Sequence, residues 1–221
     1  LAKMKLRVRQ GLVRQRTEMM VRVRSLVDSE GGELPAATAE VFTRMVRATV
    51  LPEGLSVLIE PLLRTIDALA LEVKQLDKEV EAWAKQDETA VRLQTVPGVG
   101  PLVSAAFIAV VRDVDRFAKG ASLASYLGLV PSLYESGKTS RKGHITRAGD
   151  THLRWLLTMA ANGLLRAKNQ DSSLRQWGLK LVEKSGRKKA VVAVARKLAV
   201  VLWALWKKGT SFEARLEEAA A

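Results

Sequence analysis

The chain has 221 residues, of which 48% are apolar, and this is enough to build a substantial buried core. Its net charge is +13, which favours a polyanionic partner. It contains no cysteine and only two histidines. The composition therefore excludes disulfides and cysteine-based zinc sites, and it disfavours a histidine-based metal site.

The positive charge is concentrated in two regions. Residues 1–24 carry eight Lys and Arg against one acid, and residues 136–208 carry seventeen against three. The intervening residues 25–135 have a net charge of −6. Charge that served only solubility would not segregate in this way, so the N-terminal helix and the C-terminal third are expected to bear the basic surfaces.

Helical periodicity dominates the first 92 residues. Residues 3–28 are predicted to form a basic helix that ends at Gly31-Gly32, and a short helix is predicted around residues 38–48. The apolar stripe of the first helix is expected to be Val8, Leu12, Met19, Val23 and Leu26. Residues 55–92 follow a heptad spacing, with Leu55, Ile59, Leu62, Ile66, Leu69, Val73, Leu76, Val80 and Trp83. This seam predicts either a coiled coil between two copies or an antiparallel hairpin with the first helix, so residues 1–92 are interpreted as an assembly region.

A glycine turn follows at Pro97-Gly98-Val99-Gly100 and joins two apolar helical stretches. It is typical of a helix-hairpin-helix element, in which Gly98 and Gly100 expose backbone N–H groups to a phosphate beside the positive end of the next helix. The alternative is an ordinary interhelical turn. Residues 93–212 are predicted to form a compact helical DNA-binding domain, and residues 213–221 a tail.

Four further helices complete an all-α prediction. They are expected at 121–129, 151–168, 172–185 and 187–208, with Asp150 as the N-cap of the second. Arg154 and Arg166 are expected to be exposed to solvent on that helix. The apolar run Ala190–Trp206 contains Arg196 and Lys197 and is shorter than the roughly 20 residues of a membrane span, so it is predicted to be a buried core helix.

The segment between Leu129 and Asp150 reads as a loop rich in cations. It contains Ser136 next to Gly137, and cations near a hydroxyl can neutralise the phosphodiester oxygens that an oxygen nucleophile must approach. From the residues alone Ser136 can equally be a turn residue, and Thr139 and Ser140 are further hydroxyls. The predicted phosphate ligands are Lys138, Arg141, Lys142, Arg147, Arg154 and Lys188. The competing interpretation is a solvated basic surface.

The runs VPGVGP, YLGLVP and SGKTSRKGHITRAGDTHLRWLL together resemble the C-terminal domain of the Piv/IS110-type insertion-sequence transposases, also called the IS116 type. The resemblance implies DNA transposition or site-specific recombination, in which Ser136 attacks the DNA phosphodiester and becomes covalently attached. It also implies a second half-site, a RuvC-like domain whose four acids bind a divalent metal, which is expected to be magnesium. No matching acids are found here, since Asp113 and Asp115 lack the spacing and are interpreted as loop and capping residues.

The chain is accordingly expected to be a truncated transposase that binds DNA, supplies the serine half of a composite site, has no cofactor of its own and is inactive alone. The resemblance further implies a structured guide RNA in some members, a homo-oligomer, and a bacterial, nucleoid-associated location in the cytoplasm without a membrane. The alternative is a non-enzymatic helix-hairpin-helix DNA-binding module that dimerises through its heptad helix. A basic protein of the membrane surface would suit the charge but not the interrupted apolar run.

Overall fold

The computed structural model describes residues 2–136, 139–167 and 172–212. For residues 2, 133–136 and 139–142 it describes the backbone only. The fold is essentially all-α, as predicted. The chain divides into two compact units, residues 1–80 (unit 1) and 81–221 (unit 2). The division falls inside a helix, ahead of the boundary expected after residue 92.

Unit 1 is built from α1 (Ala2–Ser29), α2 (Phe42–Ala48) and the larger part of α3 (Leu55–Gln86). Gly31, with φ of +74°, follows the end of α1. Pro61 lies inside α3 and does not begin it. These elements share one apolar cluster, formed by Val23, Val27, Leu34, Phe42, Val46, Leu55, Ile59, Leu63 and Ile66.

Within unit 1, α1 and α3 run antiparallel. Lys5 near the start of α1 pairs with Glu79 near the end of α3, and Val27 near the end of α1 shares the core with Leu55 at the start of α3. The intramolecular hairpin is therefore the pairing that this unit adopts. The predicted stripe of α1 is wrong at Val8 and Leu26, which are 56% and 40% exposed.

Unit 2 contains the remaining elements in the described part of the chain. They are α4 (Glu88–Leu93), α5 (Pro101–Val111), a 3-10 helix (Val114–Arg116), α6 (Gly120–Tyr126), β1 (Pro131–Ser136), β2 (Thr139–Ile145), α7 (Thr151–Arg166), α8 (Ser173–Ser185) and α9 (Arg187–Lys208). The helices predicted at 151–168, 172–185 and 187–208 are confirmed to within two residues. The helix predicted to reach residue 92 is interrupted at Asp87, whose carboxylate caps α4 by accepting from the Ala90 N–H.

The core of unit 2 is organised around α9, which packs against α4, α6, α7, α8 and the 3-10 helix. Its buried face carries Val194, Leu198, Leu202 and Leu205, as expected for a core helix. Gly178 lets α8 come close, because a Cβ there would lie 2.7 Å from a methyl carbon of Leu165. In the part of the chain that the structure describes, no helix is long and apolar enough to cross a membrane.

Candidate nucleic-acid interface

The segment predicted as a loop is instead an antiparallel β-hairpin. Ser136, at the end of β1, lies opposite Thr139, at the start of β2, and Pro131 lies opposite Ile145 at the other end. Below the strands the Thr146 N–H donates to the Val130 carbonyl (2.9 Å) and closes the stem. The segment lacks the apolar alternation that marks a half-buried strand, and this is why the pattern indicated a loop.

The root of this hairpin is held by two glycines in left-handed conformations. Gly128 has φ of +66° and Gly149 has φ of +73°. A Cβ on Gly128 would collide with the backbone of Ala148, and one on Gly149 would collide with the Tyr126 carbonyl. The two backbone segments therefore touch directly, and the Arg147 N–H donates to the Gly128 carbonyl (3.1 Å) between them.

Arg154 completes this root, and its predicted exposure is wrong. It lies on the buried side of α7, is only 8% exposed, and donates through its guanidinium to the carbonyls of Leu127 and Ala148. Charge-assisted bonds to backbone carbonyls compensate for the desolvation of a buried cation. Arg154 thus ties together the two chain segments that enter and leave the hairpin, and it is not free to bind phosphate.

The residues predicted to carry the chemistry lie on the hairpin. The register places Ser136 opposite Thr139, Arg141 opposite Tyr134 and Lys142 opposite Leu133. The side chains of Ser136, Arg141 and Lys142, and the whole of Lys138, lie outside the described residues. Their predicted roles remain predictions.

The two glycines of the turn before α5 have different surroundings. Gly98 has φ of +85°, and a Cβ there would lie 3.0 Å from the Ala160 carbonyl of α7, so the turn is seated against that helix. Gly100 faces open space and is the N-cap of α5 without a side-chain hydrogen bond. The helix thus begins with backbone N–H groups that no side chain of the N-cap satisfies.

The remaining cations predicted to bind phosphate are exposed. Arg147, in the turn after β2, and Lys188, in the first turn of α9, both face solvent. Lys184, Arg187 and Lys189 are exposed near Lys188. Among the described residues of unit 2 one ion pair is formed, between Lys207 and Asp115 at 3.4 Å.

The cations of unit 1 are used differently. Arg47 donates to Glu60 and Asp67, and its hydrogen bond to the Glu60 carboxylate raises the pKa of Arg47 above its usual value. The same bond lowers the pKa of Glu60. Arg9 forms two bonds with Asp77, at 2.5 and 3.2 Å. The basic N-terminal helix therefore uses part of its charge to hold α1 against α3.

An exposed aromatic side chain was not singled out from the sequence. Trp155 is 53% exposed on α7, immediately after the buried Arg154. The signal was available, because Trp155 lies two residues after Leu153 and two before Leu157, on the side of the helix opposite the apolar stripe.

Comparison with known proteins identifies one family. Residues 90–176, which include the glycine turn, the hairpin and α7, match the model of the transposase IS116/IS110/IS902 family. A probable family 20 transposase of Pseudomonas aeruginosa is 31% identical over 214 residues, which are 93% of this chain and 63% of that protein. The transposase for insertion sequence element IS1111A of Coxiella burnetii is 32% identical over 208 residues, which are 90% of this chain and 57% of that protein. The chain thus spans about three fifths of the length of these relatives.

Proposed function

Because residues 90–176 belong to the transposase IS116/IS110/IS902 family, we propose that the chain acts in DNA transposition, binds DNA and supplies the serine half of a composite active site. The acidic half comes from polypeptide outside these 221 residues. The observation that carries the proposal is the hairpin whose base is fixed to the core and whose first strand ends at Ser136. It lies at the start of a region with seventeen cations and three acids between residues 136 and 208.

The root of the hairpin supports a positioning role. Gly128, Gly149 and Arg154 fix the two ends of the hairpin to the helical core through backbone contacts and buried hydrogen bonds. A nucleophile gains rate when its scaffold holds it near the reacting atom. A hairpin whose base is fixed supplies such a scaffold for a serine at its far end.

The proposed chemistry is a transesterification. The Ser136 oxygen attacks a DNA phosphorus and forms a phosphodiester to the serine. The P–O bond to the bridging oxygen of the broken strand breaks, and that oxygen leaves with the proton that the serine hydroxyl loses. Arg141, Lys142 and Lys138 neutralise the non-bridging oxygens, and Arg147 and Lys188 bind the flanking backbone. Gly98 and Gly100 would present the start of α5 to a further phosphate.

The described acids of this chain do not fit the divalent metal that the family resemblance implies. The Asp113 carboxylate accepts from the Asp115 N–H (2.9 Å), and Asp115 pairs with Lys207. Among the described residues, no group of three or more His, Asp or Glu side chains is placed to hold a metal ion. The steps above are therefore the part of the reaction that this chain's own residues perform, and the metal is assigned to the acidic half.

The test supplies the chain with an acid-bearing RuvC-like domain and an end-labelled substrate DNA, and it measures covalent protein–DNA adduct on a denaturing gel. Ser136→Ala is expected to abolish the adduct. Ser132→Ala is the matched control, because Ser132 lies on the same strand and its Oγ donates to the His144 carbonyl (2.9 Å). An undiminished adduct from Ser136→Ala, or its loss in Ser140→Ala instead, would refute the assignment.

A second candidate function is DNA binding without chemistry. The uncapped start of α5 after Gly100 favours it, since such an end binds phosphate with no reactive group. The two functions separate in the same experiment. Salt-sensitive DNA binding without any adduct, with the acidic domain present, would support the binding module and reject the serine chemistry.

A further inference from the structure

The outer face of α7 carries an unusual set of exposed side chains. Trp155 and Met159 are 53% and 49% exposed, whereas Leu153 and Leu157 on the same helix are fully buried. Residues 155, 159, 162 and 166 are spaced four, three and four apart, so they form one stripe along the helix. This stripe, Trp155–Met159–Asn162–Arg166, is called the α7 stripe below.

Trp155 offers a flat surface that is stacked on a neighbouring ring. The rings of His152 and Trp155 stack with 6.1 Å between centroids and 12° between planes. Tryptophan prefers partial burial, and the other four tryptophans of the chain are all partly buried, whereas Trp155 is exposed. A large ring that is held in place and left in solvent is suited to receive another flat ring.

The far end of the α7 stripe is cationic. Arg166 is exposed there, and Arg187 at the start of α9 donates to the Asn162 side chain at 2.8 Å, so its guanidinium is held beside the stripe. Lys188 and Lys189 follow it. From Trp155 to Arg166 the helix rises roughly 16 Å. Of the acids in the surrounding sequence, Asp150 is engaged as the N-cap of α7.

We propose that Trp155 is a stacking platform for an unpaired base of a DNA single strand, whose backbone continues along the α7 stripe to Arg166 and Arg187. An aromatic ring combined with a line of cations is the arrangement by which proteins hold single strands, because every base has a flat face and every phosphate a charge. The inference rests on the proposed function, since strand breakage and exchange leave bases unpaired and the substrate of that reaction is DNA.

The experiment measures binding of the full chain to fluorescein-labelled oligothymidylate, to a blunt DNA duplex and to oligouridylate by fluorescence anisotropy. Trp155→Leu is expected to weaken binding to oligothymidylate by about tenfold and to leave the duplex within about twofold. Trp155→Phe, which keeps a ring, is expected to restore most of the affinity. Leu71→Ala, which removes an apolar side chain of unit 1 that is even more exposed than Trp155, is the control.

Each result has a defined meaning once circular dichroism shows that the variants are folded. Unchanged oligothymidylate binding by Trp155→Leu, or equal loss on single strand and duplex, overturns the stacking site and leaves the proposed function intact. A loss confined to oligouridylate makes the occupant RNA and overturns the assignment to DNA. Absence of salt-dependent DNA binding by the unmodified chain removes both the proposed function and this inference.

Discussion

In unit 1 three cations form ion pairs with carboxylates of another helix, whereas the described residues of unit 2 form one ion pair. Lys5 and Arg9 pair with Glu79 and Asp77, and Arg47 pairs with Glu60 and Asp67. Unit 1 has thirteen Lys and Arg with eleven acids, and unit 2 has twenty-three with twelve. The difference shows that a basic segment is informative about a polyanionic partner only after its internal pairs are known.

The N-terminal helix illustrates this lesson. The eight cations against one acid in residues 1–24 predict a basic surface as strongly as the hairpin segment does. The structure gives several of them other tasks, because Arg24 donates to the carbonyls of Leu34 and Pro35, and Arg9 is bound to Asp77. The unneutralised charge therefore lies mainly in unit 2.

The largest effect is expected at the exception within unit 2, the buried Arg154. Arg154→Leu should destabilise unit 2 by about 2 kcal/mol, because the carbonyls of Leu127 and Ala148 lose a charged donor. All five tryptophans lie in unit 2, so urea unfolding followed by tryptophan fluorescence reports on this unit. Arg166→Leu on the exposed face of α7 is the control and should stay within about 0.5 kcal/mol. Equal losses in the two variants would mean that Arg154 does not hold the root.

A smaller effect should separate the two kinds of cation directly. Lys188→Gln is expected to reduce the slope of log affinity against log salt by about 0.9 for duplex DNA, because one phosphate contact is lost. Arg9→Gln, which removes a cation that is paired within unit 1, should leave the slope unchanged. Fluorescence anisotropy at a series of salt concentrations measures both. If Arg9→Gln alone reduced the slope, the cations of unit 1 rather than those of unit 2 would contact the phosphates.

The smallest effect concerns the pH dependence of unit 1. The hydrogen bond from Lys5 lowers the pKa of Glu79, so this pair stabilises the folded state above the ordinary glutamate pKa of about 4.3 and loses that contribution as the pH falls through the folded-state value. The wild-type chain should therefore have a higher melting temperature than the Lys5→Gln variant at pH 7, and this difference in melting temperature should vanish towards pH 3. Thermal melts by far-ultraviolet circular dichroism detect this. A difference that persists in acid would exclude the ion pair as its source.

Helices whose apolar residues repeat at helical spacing over many turns were predictable from the sequence. The helix α9 was expected at 187–208 and lies there, because glycines bound it and its buried residues repeat at helical spacing. The stripe of α1 was less predictable. Lys5 and Arg9 reach α3 through ion pairs, so the contact face of that helix is not purely apolar and its phase cannot be read from hydrophobic residues alone.

The candidate site was harder to predict for two physical reasons. The hairpin strands carry mainly polar residues and are specified by Gly128 and Gly149 at the root, and the tight contact of these glycines with distant backbone has no local pattern. Arg154 was assigned to the surface because it is charged. Its position three residues before Leu157 and seven before Ala161 places it on the buried face. Its hydrogen bonds to the Leu127 and Ala148 carbonyls and to the Thr151 hydroxyl make that burial tolerable.

The hydrogen bond between Val130 and Thr146 brings together the two ends of the segment 131–145. Both of its ends meet within one hydrogen bond, so its length and composition can vary without displacing the flanking helices. Chimeras that exchange this segment between related chains would keep the helical body and change only the hairpin. Divergence in target chemistry could thus proceed independently of the packing that keeps the body folded.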